Sequence, residues 1–387
     1  MIKHISVGID IGTRTTRLVV AEHTPDQTEP VVLALVSTES KGLRHGYIIN
    51  ADETKKCIAK VIKEAEKITG INIKKVLVSI GGISLGSVQS TGSVIVGRAD
   101  REITERDIEN AVQDALSALK LVNRKVIFQN NIQYKVDGKE TFGSPIGLKG
   151  TKLEVRALFA FCLDQHIEAI EEVFVENGID IVDIIPAPIA GAHATLTERQ
   201  RSVGVALANI GAETVSLVVY ENNVVIGLHV FSIGGSDITN DIALGFQIEL
   251  ENAEQIKLNT NDVPQKRKLQ EIINARLSDI FELIGTYLKK IKRYELLPAG
   301  MILTGGSAAI QNIEEYSKGL LKLPSKKASI EIDTQHRGKI REHMWNVPYG
   351  LILMAQSYNE FRPIGNFQEI MKSTKKGISD FLKQFLP

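Results

Sequence analysis

The segment VGIDIGTRTTRLVVAE, Val7 to Glu22, returns near the middle of the chain as ALANIGAETVSLVVYE, Ala206 to Glu221. In one gapless register Ile11, Gly12, Thr15, Leu18, Val19, Val20 and Glu22 fall on Ile210, Gly211, Thr214, Leu217, Val218, Val219 and Glu221. Each copy is an apolar run, a tight glycine turn rich in hydroxyls and backbone N–H groups, and a second apolar run, which predicts a β-hairpin. Two equivalent glycine-tipped hairpins predict two equivalent lobes whose tips face each other across a cleft. Glycine lets backbone approach an anion closely, and successive N–H groups in a turn form an anion-binding concavity. One such hairpin alone reads as an ordinary sheet turn. Duplicated and opposed, the pair suits the phosphates of a nucleotide.

Composition narrows the class. With 387 residues, 43% apolar and 24% charged, the chain is long enough for two or more domains with sizeable cores. A formal net charge of zero leaves no bulk electrostatic case for nucleic acid. The two cysteines, Cys57 and Cys162, lie in apolar patterns without metal-ligand spacing and are expected to be reduced core residues of a cytoplasmic protein. The eight histidines form no HxxxH or HExxH pair, and His336 and His343 read as loop residues. The first strand begins so early that no signal peptide is expected, and no apolar run approaches the roughly 20 residues of a membrane span. Any membrane association is therefore expected to be peripheral.

Taken in order, the first hairpin is followed by a strand at 31–37, a glycine-bounded loop at 42–47, an amphipathic helix at 52–69 stopped by Gly70, and a strand at 75–80 ending in Gly81-Gly82. A strand at 93–97, a helix opened by Thr104-x-x-Asp107, and strands at 125–136 and 153–163 then make a β-α-β-β insertion. The first lobe resumes with a helix at 164–177 and a strand at 179–185. The small residues of Pro186 to Ala192 start either a hinge helix or a plain one. After the second hairpin come a strand at 224–233, a helix opening at Gly234-Gly235-Ser236, and a short helix carrying Glu254 and Lys257. A long helix at 265–296 follows, either continuous or broken near Gly285. It ends in Lys289, Lys290, Lys292 and Arg293, which serve either a helix C-terminus or an acidic partner peptide. MILTGG, 301–306, predicts a strand, a double glycine and a helix from Ser307, where a base or ribose can lie on backbone. A helix at 348–358 closes lobe I. At the end, Ile378, Phe381, Leu382, Phe385 and Leu386 share one helical face beside lysines, as in a helix lying in a membrane interface.

These motifs resemble those of the actin, Hsp70 and sugar-kinase superfamily. Within it the chain is similar, over almost its whole length, to the FtsA family of bacterial cell-division proteins. GYIINADETKKCIAKVIKEAEKITGINIKKVLVSIGG from Gly46, GRADREITERD from Gly97, GLKG from Gly147, IGGSDITNDIA from Ile233 and the terminal helix carry the resemblance. It implies an α/β, actin-like two-lobe fold with duplicated mixed-sheet domains. Residues 1–84 and 164–197 would form the core of lobe I, 85–163 the inserted α+β subdomain, and 198–340 lobe II. Residues 341–362 would form the closing helix, and 363–387 the linker and C-terminal amphipathic helix. The resemblance further implies an ATP-binding, filament-forming adaptor at the cytoplasmic membrane face of the division site. It would anchor the tubulin-like protein FtsZ, whose acidic tail docks on lobe II, and would also meet later division proteins. By motif, Asp10, Gly12, Thr13, Arg14 and Thr15 would face phosphate and Mg2+, with Asp10 toward the metal. Asn209, Gly211 and Thr214 would form the opposing loop, and Gly234 and Gly235 would also bind the nucleotide. Gly305, Gly306, Ser307, Glu254 and Lys257 would border adenosine.

The second loop departs from the family's DIGGGT: here it reads Asn209-Ile210-Gly211-Ala212-Glu213-Thr214. An amide cannot supply the charge that helps hold hydrated magnesium. Glu213, if turned inward to about 5 Å from a phosphate oxygen, would cost roughly 3 kcal/mol at an effective dielectric near 20; turned outward, it would not. Weak or absent hydrolysis is expected. The alternatives are a related scaffold of another membrane machine, such as type IV pilus assembly, or a small-molecule kinase of the same superfamily.

Overall fold

Alternating apolar residues make β1 (His4–Ile11) and β2 (Thr15–His23) a hairpin with Asp10 opposite Arg17, and β3 (Val31–Glu39) continues it antiparallel. The glycine-bounded loop is itself a small hairpin of β4 (Leu43–Arg44) and β5 (Tyr47–Ile48). In α1 (Ala51–Thr69), Asn50 accepts the Glu53 N–H at the start and Gly70, at φ 71°, ends the helix. Its apolar face, Ile58, Val61, Ile62 and Ala65, is buried on the sheet, and β6 (Lys75–Ile80) then runs parallel to β1. A computed structural model describes residues 4–24, 29–258, 265–334, 338–340 and 343–360. The expected terminal helix with Ile378, Phe381, Leu382, Phe385 and Leu386 lies outside the described residues.

The insertion comprises β7 (Gly86–Ile95), α2 (Glu105–Ser117), β8 (Arg124–Val136), β9 (Lys139–Thr141) and β10 (Lys152–Leu163). The first strand begins well before residue 93. Its polar stretch is a strand because its backbone pairs antiparallel with residues 152–161, while the Ser87 and Gln89 side chains donate to the carbonyls of Leu228 and Ile226 in the other lobe. α2 can lie close on β7 only at Gly92, where a Cβ would sit 2.1 Å from the Ala111 carbonyl oxygen. At its start the Asp107 carboxylate accepts both the N–H and the hydroxyl of Thr104, at 2.9 and 2.6 Å. Asp107→Ala is expected to cost about 1 kcal/mol, the scale of a lost cap, read as a lowered urea midpoint.

The chain returns through α3 (Asp164–Glu176) and β11 (Asp180–Pro186), which runs parallel to β6, to α4 (Ala187–Thr195) and a short α5 (Glu198–Val203) capped by Thr197 and Gln200. Lobe II repeats the plan with β12 (Val205–Ile210), β13 (Val215–Glu221) and β14 (Val224–Phe231), followed by α6 (Gly235–Phe246), α7 (Leu250–Leu258) and α8 (Lys266–Lys290). Next come β15 (Met301–Thr304), a 3-10 turn at Gly306–Ala309, α9 (Ile313–Leu321) and β16 (Ser325–Lys327). The last elements among the described residues are β17 (Ile332–Thr334), β18 (Gly338–Ile340) and α10 (Asn346–Glu360).

Duplication extends to topology. One sheet contains β6-β1-β2-β3 and the other β15-β12-β13-β14, each with one parallel pair and two antiparallel ones. The insertion interrupts lobe I in the chain, yet its strands continue the sheet of lobe II. β7 joins β14 through the His229–Gly86 pairing, with β10, β8 and β9 beyond it.

Three expectations change. Residues 332–334 and 338–340, assigned by sequence to lobe II, join the first sheet beside β3, because Ile330 and Ile332 are buried with Val19, Val32 and Trp345. The long helix runs unbroken through Gly285 and ends at Lys290. Gly285 serves packing there, since the Tyr294 ring and the Leu321 side chain would stand 3.3 and 3.5 Å from a Cβ. Ser307 starts no α-helix: it lies in the 3-10 turn, and helix resumes only at Ile313.

Candidate functional site

The two hairpin tips face each other across a cleft of about 860 Å³, within the range typical of small-molecule sites. Asp10, Gly12, Thr13, Arg14 and Thr15 line it from lobe I, and Asn209, Gly211 and Thr214 from lobe II. Gly235, Glu254, Lys257, Gly305, Gly306 and Ser307 complete the predicted set on its walls. Gly234 does not line the cleft. It lies behind the second turn, where a Cβ would meet the Ala212 carbonyl oxygen at 2.5 Å.

Sequence reasoning missed Gly46, Gly81, Gly82, Lys327 and Asn346, which also line the cleft. Gly81-Gly82 carried a signal, being a double glycine after a strand as in MILTGG. Asn346 carried none: it is 1% exposed at the start of α10, and its Nδ2 has no hydrogen-bond partner.

Asp10 is half-buried on the cleft wall, and removal from water raises its pKa against the hydrogen bond from Ser79 Oγ at 2.5 Å and the charge of Arg17. Glu254 is held by Lys257 Nζ at 2.7 Å, the Thr239 hydroxyl at 2.5 Å and Arg14 Nη1 at 2.5 Å. Burial pushes its pKa up, but these donors outweigh it and the net shift is downward. Glu254 therefore contributes stability above the ordinary carboxylate range that is lost as pH falls through its lowered pKa. The difference in melting temperature between wild type and Glu254→Gln is expected to shrink steadily in scans from pH 6 to pH 3. Lys257, expected to border adenosine, donates to Glu254, the Gly235 carbonyl and Thr239, which engages all three ammonium donors. Its position makes it a support for Glu254. The Ser307 hydroxyl donates to the Gly211 carbonyl and steadies the second turn from behind.

Glu213 points away from the cleft. Its carboxylate accepts the backbone N–H of His45 at 2.6 Å, so the inward repulsion does not arise.

Of the basic run, Arg293 grips Glu221 at 2.6 Å and Lys289 sits 4.6 Å from the Tyr294 ring centroid. Lys290 and Lys292 are exposed. Cys57 and Cys162 are free and buried, and burial pushes the Cys162 thiol up to about 12. Among the described residues, no group of three or more His, Cys, Asp or Glu side chains could hold a metal ion.

Residues 206–346 match the family described as cell division protein FtsA, and residues 82–160 match the SHS2 domain inserted in FTSA. Together the two matches span more than half of the sequence. The chain belongs to the FtsA family. FtsA of Pseudomonas aeruginosa is 28% identical over 341 residues, covering 82% of this chain and 81% of the relative. Among solved structures, a PilM–PilN type IV pilus biogenesis complex aligns with a TM-score of 0.67 at 19% identity, over 90% of this chain and 98% of that one. MreB5 of Spiroplasma citri bound to ADP aligns with a TM-score of 0.55 at 13% identity, over 94% and 99%. These neighbours establish an actin-like fold for this FtsA-family chain, with the SHS2 insertion as its β7–β10 subdomain.

Proposed function

We propose that this FtsA-family protein is an ATP-binding, filament-forming adaptor that tethers FtsZ to the cytoplasmic face of the membrane at the division site. The observation that carries the reading is the pair of duplicated hairpin tips lining one cleft in a chain of this family. The cleft suits a nucleotide: it has glycine backbone on facing walls, a half-buried carboxylate at Asp10 and an orphaned amide at Asn346. Asp10, Thr13 and Thr15 would hold phosphate and Mg2+ from one side, and Asn209, Gly211 and Thr214 from the other. Glu254 would take ribose hydroxyls, and the Gly305–Gly306 backbone would take the base. The bound metal ion supplies charge neutralisation for the phosphates. Asn209 places no carboxylate opposite Asp10, so a water there lacks a general base, and slow turnover follows. The protein's main work is then assembly.

Among the described residues no helix is long and apolar enough to cross a membrane. Lipid attachment is assigned to the amphipathic segment from Ile378 to Leu386, and the exposed Lys290 and Lys292 are the cations offered to an acidic peptide. A pull-down with the acidic tail of FtsZ is the deciding experiment. Retention of the tail is expected, weakened by Lys290→Glu with Lys292→Glu. Failure of the wild-type chain to retain it would favour a scaffold of another membrane machine, the reading to which the pilus-complex neighbour points. Liposome co-sedimentation of the full chain should likewise exceed that of a chain ending at Lys376; equal binding would remove the terminal segment from the reading.

A further inference from the structure

The two hairpins do more than face each other, because each sends a charged side chain to the opposite lobe. From the first turn, Arg14 reaches Glu254 on α7. From the second, Glu213 reaches the β4–β5 hairpin of lobe I, where its carboxylate accepts the His45 N–H at 2.6 Å. The His45 ring returns the contact, with Nδ1 3.3 Å from the Glu213 carbonyl oxygen and 3.5 Å from Ser232 Oγ.

Both ends of the Glu213 contact are braced. In lobe II the Gly211 N–H is engaged by the Thr214 carbonyl, and the carbonyls of Gly211 and Ala212 accept from Gly235 and Ser236, so the turn is pinned to the start of α6. In lobe I the Gly46 N–H donates to Thr13 Oγ1 at 3.0 Å, which ties the receiving hairpin to the first phosphate turn. Only glycine fits at Gly46: φ is 80°, and a Cβ would lie 2.5 Å from the Gly82 Cα. His45 holds a left-handed conformation at φ 48°, which a non-glycine residue keeps only where surrounding contacts enforce it.

We propose that Glu213 and the His45–Gly46 turn form a clasp that holds the two lobes closed, so that the second turn grips the opposite lobe through the residue that departs from the glycine loop. The clasp acts without a ligand. It also links the lobes to the nucleotide site, since Thr13 lies at its far end.

The test is the distance between lobes in the ligand-free full-length chain, measured by electron–electron resonance between spin labels at Lys63→Cys on α1 and Lys318→Cys on α9. Both positions are exposed, and the native cysteines are buried. Glu213→Ala should lengthen and broaden the distance distribution by several ångströms. Glu213→Gln keeps an acceptor for the His45 N–H and should stay close to wild type. Circular dichroism checks that each variant is folded, as expected for a side chain that is 30% exposed. An alanine variant with the wild-type distribution overturns the clasp, and so does a glutamine variant as open as the alanine one. Titrating wild type with Mg-ATP tests the cleft separately, and its failure would leave the ligand-free distances to stand on their own.

Discussion

Asp10→Asn is expected to raise the melting temperature of the ligand-free protein while weakening its magnesium-dependent affinity for ATP by tenfold or more. The two effects share one cause. Burial raises the Asp10 pKa, so the charged form costs folding free energy at neutral pH. The sign follows from linkage: a carboxyl with a raised folded pKa stabilises the fold only while protonated, and that stabilisation is lost as pH rises through the folded value. Asparagine removes the charge at nearly constant volume and leaves an oxygen for the Ser79 hydroxyl, now 2.5 Å from Asp10 Oδ1. In the proposed site the same charge is what the first turn would offer a hydrated cation, and Asn209 would supply none from the facing turn. A tenfold loss in affinity corresponds to about 1.4 kcal/mol, a modest share of what a single carboxylate contributes near a divalent ion. Calorimetric titration with and without magnesium, paired with thermal scans, measures both signs. A variant no more stable than wild type, or one binding Mg-ATP equally well, would contradict this account of Asp10.

Gly350→Ala is expected to destabilise the protein by about 3 kcal/mol, although alanine is the better helix former. Replacing glycine inside a helix returns roughly 1 kcal/mol in propensity. Against this, a Cβ at Gly350 would sit 1.8 Å from the Ala190 carbonyl oxygen and 2.5 Å from its carbon. That neighbour is backbone, so α10 and α4 must separate. Leu351, Ile352 and Ala190, all fully buried, lose contact when they do. Overpacking of a tight core costs about 1–3 kcal/mol, and lost burial adds to it. Because Ala187, Asn346 and Val347 carry the floor of the cleft on these same two helices, the variant should also bind nucleotide more weakly. Urea unfolding with Gly350→Ala beside wild type decides the sign, and an unchanged midpoint would mean the helices move apart freely.

The glycines explain why part of this was legible in one dimension and part was not. Gly70 ends α1 because a helix stop is a local event, visible in the residues around it. Gly285 looks like a similar interruption, but its role is set by Tyr294 and Leu321, which only folding brings beside it. Gly234 and Gly235 are adjacent in the sequence, yet the first lies behind the second turn and the second lines the cleft. The polar run of β7 shows little strand character until the backbone of β10 is laid alongside it. Lys257 and Glu254 were visible as a helical pair, but the commitment of every Lys257 donor appears only when Gly235 and Thr239 close around it.

By itself, then, the sequence determined the duplicated hairpin with its two glycine turns, the two-lobe plan and the inserted subdomain. These rest on hydrophobic period, turn chemistry and repetition, which are short-range properties of the chain. Tertiary structure decided which way Glu213 turns, which lobe receives the strands of the insertion and those at 332–334 and 338–340, and which polar groups at the cleft remain available to a ligand. Those outcomes depend on partners far away in the chain, and a side chain near a turn can satisfy its hydrogen bonds in several directions until the opposite lobe is in place.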